Sequence, residues 1–172
     1  MKRLVLVLLV VLAIAPAAFA QLTFLANLSG ANEVPPADPD GTGTALITIT
    51  GTTITYSITV NNITAPIAQH IHQGAAGVNG PIVVGLPGVW TGSGTGPWTL
   101  NGATTTTSAQ AAAIIANPAG FYVNVHTNDF PGGAVRGQLA AFNVTVPTAS
   151  TWGLIALGAM LSLAGLILMR RA

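Results

Sequence analysis

The sequence contains no cysteine. Thiol catalysis, thiolate metal sites and a disulfide framework are therefore excluded. Charge is almost as scarce, with Asp, Glu, Lys and Arg making up 5% of the residues. Between Leu4 and Met169 the one basic side chain is Arg136, set against Glu33, Asp38, Asp40 and Asp129, for a net charge of −3 with His neutral. Nucleic acids and anionic lipid surfaces call for basic stripes, so neither is expected as a partner. There is no Gly-x-Ser-x-Gly elbow, and no Gly-rich stretch leads into the Lys-Ser/Thr of a phosphate loop. Nothing in the placement of the four acids marks a glycosidase pair. No catalytic residue is assigned on these grounds.

What the chain has in quantity is apolar residues, 51% of its 172 positions, and they concentrate at the two ends. Lys2-Arg3, an apolar run from Leu4 to Ala15, and the small-x-small triplet Ala18-Phe19-Ala20 follow one another at the N-terminus. That layout predicts a signal helix over residues 1–20, cleaved after Ala20. At the other end, Trp152 to Met169 carries no charge and is followed by Arg170-Arg171. Eighteen helical residues span about 27 Å, close to the hydrocarbon thickness of a bilayer. A transmembrane helix over 152–169 is therefore expected, with the two arginines on the cytoplasmic side.

Residues 21–145 between these ends predict one all-β domain. Thr44–Thr50 and Thr53–Val60 alternate Ile, Tyr and Val with Thr and Ser around Gly51-Thr52, the pattern of a hairpin with one buried face. Further strands are expected over Ile67–Gln73, Ile82–Val84, Trp98–Leu100, Phe121–Thr127 and Ala134–Asn143. Ser108–Asn117 is the one soluble helix candidate, with Ser108 as its cap. Thr104–Thr107 is low in complexity and is taken as solvated. Short strands with turn signals between them point to a Greek-key sandwich or barrel, immunoglobulin-like or superoxide-dismutase-like.

The unusual residues of this domain are His70, His72, His126 and Arg136. Side chains two apart on a strand share a face, so His70 and His72 point together, as do Tyr122, Asn124 and His126. Val135 and Leu139 take the apolar face of the last strand and leave Arg136 on the other. If these strands are neighbours, three imidazoles and one guanidinium gather in an exposed cluster. Three neutral imidazoles suit copper, zinc or nickel, with Cu(II) the best-suited ion, and Glu33 or Asp129 could add an oxygen. Equally, the histidines could brace the loops Gly74–Pro81 and Thr127–Gly133. Arg136 has two readings as well, a structural ion pair with Glu33 or Asp129, or the steering of a ligand.

Four blocks in order resemble the CHRD (chordin-type) domain. They are Leu28-Ser29-Gly30-Ala31-Asn32-Glu33-Val34-Pro35-Pro36, the stretch from His70-Ile71-His72-Gln73-Gly74 to Val84, Phe121–Thr127, and Pro131–Leu139. That resemblance implies an extracellular β-sandwich-like domain. The tail, with Val146-Pro147-Thr148 and Trp152-Gly153 ahead of an apolar span and Arg170-Arg171, resembles the IPTL-type sorting signal of Gram-negative bacteria. Ala149 stands where that family has Leu, and Thr151 where it has an acid. The likeness implies an exosortase-type processing enzyme as a partner and anchoring in the envelope or at the cell surface. A fainter likeness is to copper/zinc superoxide dismutase, in the order His-x-His, a late His, then Arg. No bridging His, zinc-loop His cluster or disulfide accompanies it, so it implies at most a reduced, copper-only site. Two functions emerge: a non-enzymatic surface module binding an unnamed surface or matrix component, or a copper-binding or redox protein using the histidines.

Overall fold

The computed structural model describes residues 21–142. The signal helix with Ala18 and Ala20, the sorting motif and the span 152–169 lie outside them. Among the described residues no helix is long and apolar enough to cross a membrane.

The domain is mostly β, as expected. Strands β1 (Gln21–Ser29), β2 (Thr42–Thr50), β3 (Thr53–Asn61), β4 (Pro66–Gln73), β5 (Ile82–Gly85) and β6 (Trp98–Thr105) precede one α-helix, α1 (Ser108–Ala116). Strands β7 (Phe121–Thr127), β8 (Val135–Gln138) and β9 (Ala140–Ala141) follow it. They form one antiparallel sheet in the order β5-β4-β7-β8-β1-β2-β3-β6, with β9 also on β1. The sheet curls into a nearly closed barrel. Because β3 pairs β6 and β4 pairs β7, the connections β3→β4 and β6→β7 run between strands that are not neighbours in the sheet.

Alternation builds the core. Phe24, Ala26 and Leu28 of β1 oppose Ile47, Ala45 and Gly43 of β2, and Ile47 and Ile49 in turn oppose Tyr56 and Ile54 of β3. These apolar side chains are buried, and Thr and Ser take most of the intervening positions. Val123, Val125, Val135 and Leu139 complete the interior from the other side. Helix α1 leaves β6 and is tied to β5 by Gln110, whose amide donates to the Val83 carbonyl at 3.1 Å. It thus links the two strands between which the barrel fails to close.

Several boundaries differ from expectation for local physical reasons. The cap of α1 is Thr107, one residue before Ser108, because Thr107 and Gln110 complete a reciprocal capping box. Strand β6 runs through Thr105, so Thr104 and Thr105 pair with β3 rather than lying free. The last strand breaks at Leu139, whose side chain turns into the core while its N–H donates to Phe121 O at 2.9 Å. Strand β9 then continues the same alignment along β1, Leu25 opposite Ala140 as Ser29 is opposite Arg136. Phe142 N–H donates to Thr23 O at 2.8 Å, so the described chain begins and ends at one end of the barrel.

Candidate metal centre

Register places the unusual residues in rows across the outer face of β4, β7 and β8. Opposite His70 lies Asn124, and opposite Asn124 lies Arg136. In the next row His72 faces Tyr122, and Tyr122 faces Gln138. His126 follows two residues after Asn124 on the same face. Ile71, Val123 and Val135 take the inner face, as the alternation requires.

The cluster forms, but it is not exposed. His72 and His126 are each 8% exposed and Arg136 is 2% exposed, while His70 is only partly buried. Loops cover this face of the sheet, and every residue of β7 is buried whichever way it points. The segment 74–81 comes over His72, whose Nδ1–H donates to Gly80 O at 3.0 Å. Gly80 must be glycine, since a Cβ there would lie 1.6 Å from Gln73 O. The turn after β7 comes over His126, whose Nδ1–H donates to Pro131 O at 3.0 Å.

Those two bonds decide the tautomers. A carbonyl only accepts, so the ring proton of His72 and of His126 sits on Nδ1 and the lone pair on Nε2. His72 Nε2 is buried and has no partner among the described residues. His126 Nε2 lies 3.3 Å from His70 Nδ1. One ligand atom from each of the three rings falls within 4.8 Å of the others, and this group includes no carboxylate. Nitrogens bound to one metal at about 2.0–2.1 Å in tetrahedral geometry are about 3.4 Å apart, so the His70–His126 pair is already at that spacing.

All three imidazoles are held below their ordinary pKa. Burial is the main cause for each, seconded for His70 by His72. For His72 the nearby Arg136 adds to the effect of burial, and the bond to Gly80 opposes it. For His126 the bond to Pro131 opposes burial, and the other two histidines add to it. The rings are therefore neutral at neutral pH, the form that ligates metals.

Of the two partners expected for Arg136, it meets Glu33, at 3.9 Å from Nε to Oε2. Asp129 lies elsewhere and accepts from Thr64 Oγ1 at 2.8 Å. The closer contacts of Arg136 are Asn32 O, to which Nε donates at 2.5 Å, and Asn79 Oδ1, to which Nη1 donates at 2.8 Å. Its guanidinium carbon stands 4.8 Å from the centre of the Tyr122 ring, and Tyr122 stacks on His72 with 5.0 Å between centroids. Burial pushes Glu33 up to about 7, against the opposing pull of Arg136 and of the Asn124 side chain. Arg136 thus ties together strand β8, the Asn32–Glu33 turn and the loop carrying Asn79.

Of the residues singled out in the sequence, the fold brings His70, His72 and His126 together and sets Arg136 beside Glu33, while Asp129 lies apart. Sequence reasoning assigned no role to Tyr122 or Asn79, and Tyr122 was discoverable, since it shares the face of His126. The loop contacts of Gly80, Asn79 and Pro131 had no signal in strand periodicity.

Comparison with known protein families matches residues 24–139 to the CHRD domain. The chain belongs to this family. The match runs from within β1 to Leu139 and takes in all three histidines, Glu33 and Arg136. No curated protein and no solved structure matches the chain. Membership of the CHRD family points to an extracellular binding or structural module.

Proposed function

We propose that this CHRD domain is an exported binding module whose ligand is a transition-metal ion held by His70, His72 and His126. The observation that carries this reading is the pair of carbonyl bonds that fix His72 and His126 with Nε2 lone pairs inward, one of them buried and unpartnered among the described residues. Metal-binding histidines are characteristically oriented by a bond from the other ring nitrogen. Imidazole is the only borderline ligand in the group, which favours Cu(II), with Zn and Ni behind it. Three ligands without a further histidine or carboxylate suit the reduced, copper-only form of a dismutase-like site. The nearly closed sheet favours the barrel form of the expected Greek key.

A second reading is supported by the same two bonds. They tie the 74–81 loop and the 128–133 turn to the sheet, so the histidines could serve only to brace an adhesive or structural surface. In either case the leader ending at Ala20 exports the chain, and the tail from Trp152 with Arg170-Arg171 holds it in the envelope until an exosortase-type enzyme processes it.

A copper titration followed by thermal melts tests the metal reading, on the full chain and on its single His→Ala variants. At a hundredfold excess over Kd, binding stabilises by about 2.7 kcal/mol. Each of the three variants should lose that gain. An unchanged wild-type melt, or any histidine that can be removed without effect, leaves the bracing reading in place.

A further inference from the structure

The three ligands are not equivalent. His72 and His126 are each anchored through Nδ1 to a backbone carbonyl and lie under loops. His70 has no such anchor. Among the described residues its one side-chain hydrogen bond is the 3.3 Å contact with His126, and it alone of the three is more than marginally exposed. Across the sheet His70 is paired with Gly85 of β5, so a side chain at 85 would stand beside the imidazole on the outer face. There is none, and a Cβ built at Gly85 would meet nothing within 4 Å. A depression of about 200 Å³ opens there, with His70, Gly85, Leu86 and Pro87 in its wall. On the opposite side Tyr122 stacks on His72, and His72 and His126 are each bonded to a loop carbonyl, of Gly80 and of Pro131.

Resting on the metal reading above, we propose that the ion enters and leaves through the Gly85 depression, with His70 as the exchanging ligand. The domain is then a carrier that passes copper to and from small amino-acid-sized chelates, rather than a cage that keeps it. His72 and His126 receive the ion as a pre-oriented pair. Without metal, His70 Nδ1–H donates to His126 Nε2. On loading, that proton passes through solvent to His70 Nε2, and Nδ1 takes a coordination position that one chelate donor gives up. Unloading runs the same exchange in reverse, with no change of oxidation state. The depression is large enough for a free amino acid or a single side chain.

Stopped-flow mixing of the full chain with Cu(II) supplied as its glycine complex, read by tryptophan quenching, tests the route. Gly85→Phe covers His70 without replacing any ligand, and its backbone needs no unusual torsion. It should slow uptake and release about tenfold or more while shifting the affinity by less than about threefold. Gly85→Val, which fills less of the depression, should fall between, and matched metal-free melts verify that both variants fold. His70→Ala should lose affinity yet release copper faster than wild type. Gly85→Phe with wild-type rates overturns the route, as does slow release from His70→Ala. A wild-type chain that takes up no copper sinks the metal reading itself and the route with it.

Discussion

Replacing Arg136 with Met keeps an apolar stem beside Tyr122 and removes the guanidinium. Two charge-assisted bonds go with it, to Asn32 O at 2.5 Å and to Asn79 Oδ1 at 2.8 Å, and Glu33 is left without its cation. Removing one member of a buried pair typically costs about 3–5 kcal/mol. In this site the cost depends on pH, because Glu33 titrates near 7 in the fold against 4.5 in the open chain. Its folded pKa is the raised one, so its contribution is fullest below pH 4.5 and is lost as pH rises through 7. Arg136 opposes that rise, and without it the carboxyl titrates higher still. At pH 5 Glu33 is neutral in both proteins, and the penalty is mostly the two lost bonds, about 3 kcal/mol. Above pH 7 the variant should fall behind by about a further 1.4 kcal/mol per pH unit, until its own Glu33 ionises. In a melt the pH 5 difference is roughly 10 °C. Metal-free full chain should be unfolded in urea at pH 5, 7 and 8, as wild type, Arg136→Met and Arg136→Met with Glu33→Gln. The double variant should lose the extra pH dependence. A penalty below about 1 kcal/mol, or one that stays flat from pH 5 to 8, would refute the buried-pair account.

Three other outcomes are expected. Because burial holds all three imidazoles below 6.5, stabilisation by copper should persist through neutrality and fall away only below pH 6.5, where protons compete for the ligating nitrogens; melts with and without copper from pH 4.5 to 8 check this, and loss already above 6.5 contradicts it. Gly80→Ala forces a Cβ against Gln73 O, moves the loop that anchors His72, and should lower both the melting temperature and copper affinity; unchanged values would show that the loop does not position the ring. Leu161→Arg should cost about 2.5–3.5 kcal/mol of membrane insertion, and a variant that still fractionates with membranes would mean that the tail is not the anchor.

How much of this was legible in the sequence follows from the range of the interactions involved. The β2–β3 hairpin is readable because buried and outward residues alternate over a full strand. The shared face of His70 and His72 is readable for the same reason. Strand β1 has the same alternation in Phe24, Ala26 and Leu28, but its Ala and Asn carry little strand preference and it directly follows the apolar leader. Strand β6 buries little beyond Leu100, and its Thr-rich end, which pairs with β3 alone, has the composition of a loop. Burial of the histidines was out of reach. Periodicity says which way a ring points, while what lies over it comes from Gly80 and Pro131, and the partners of Arg136 come from Asn32 and Asn79. Arg136 and Asn79 are 57 positions apart, and Arg136 and Asn32 are 104 apart.

The bond from Phe142 N–H to Thr23 O also has a mechanical side. Strands β1 and β9 are antiparallel neighbours, and the chain enters one and leaves the other at the same end of the barrel. A pull on both flanks would load their hydrogen bonds one after another from that end, the unzipping direction, which resists far less force than shear across a whole strand. A pull on one flank with the other free passes no tension through the sheet at all. A domain tethered only beyond Phe142 could therefore be dragged by its surroundings without its strands being drawn apart.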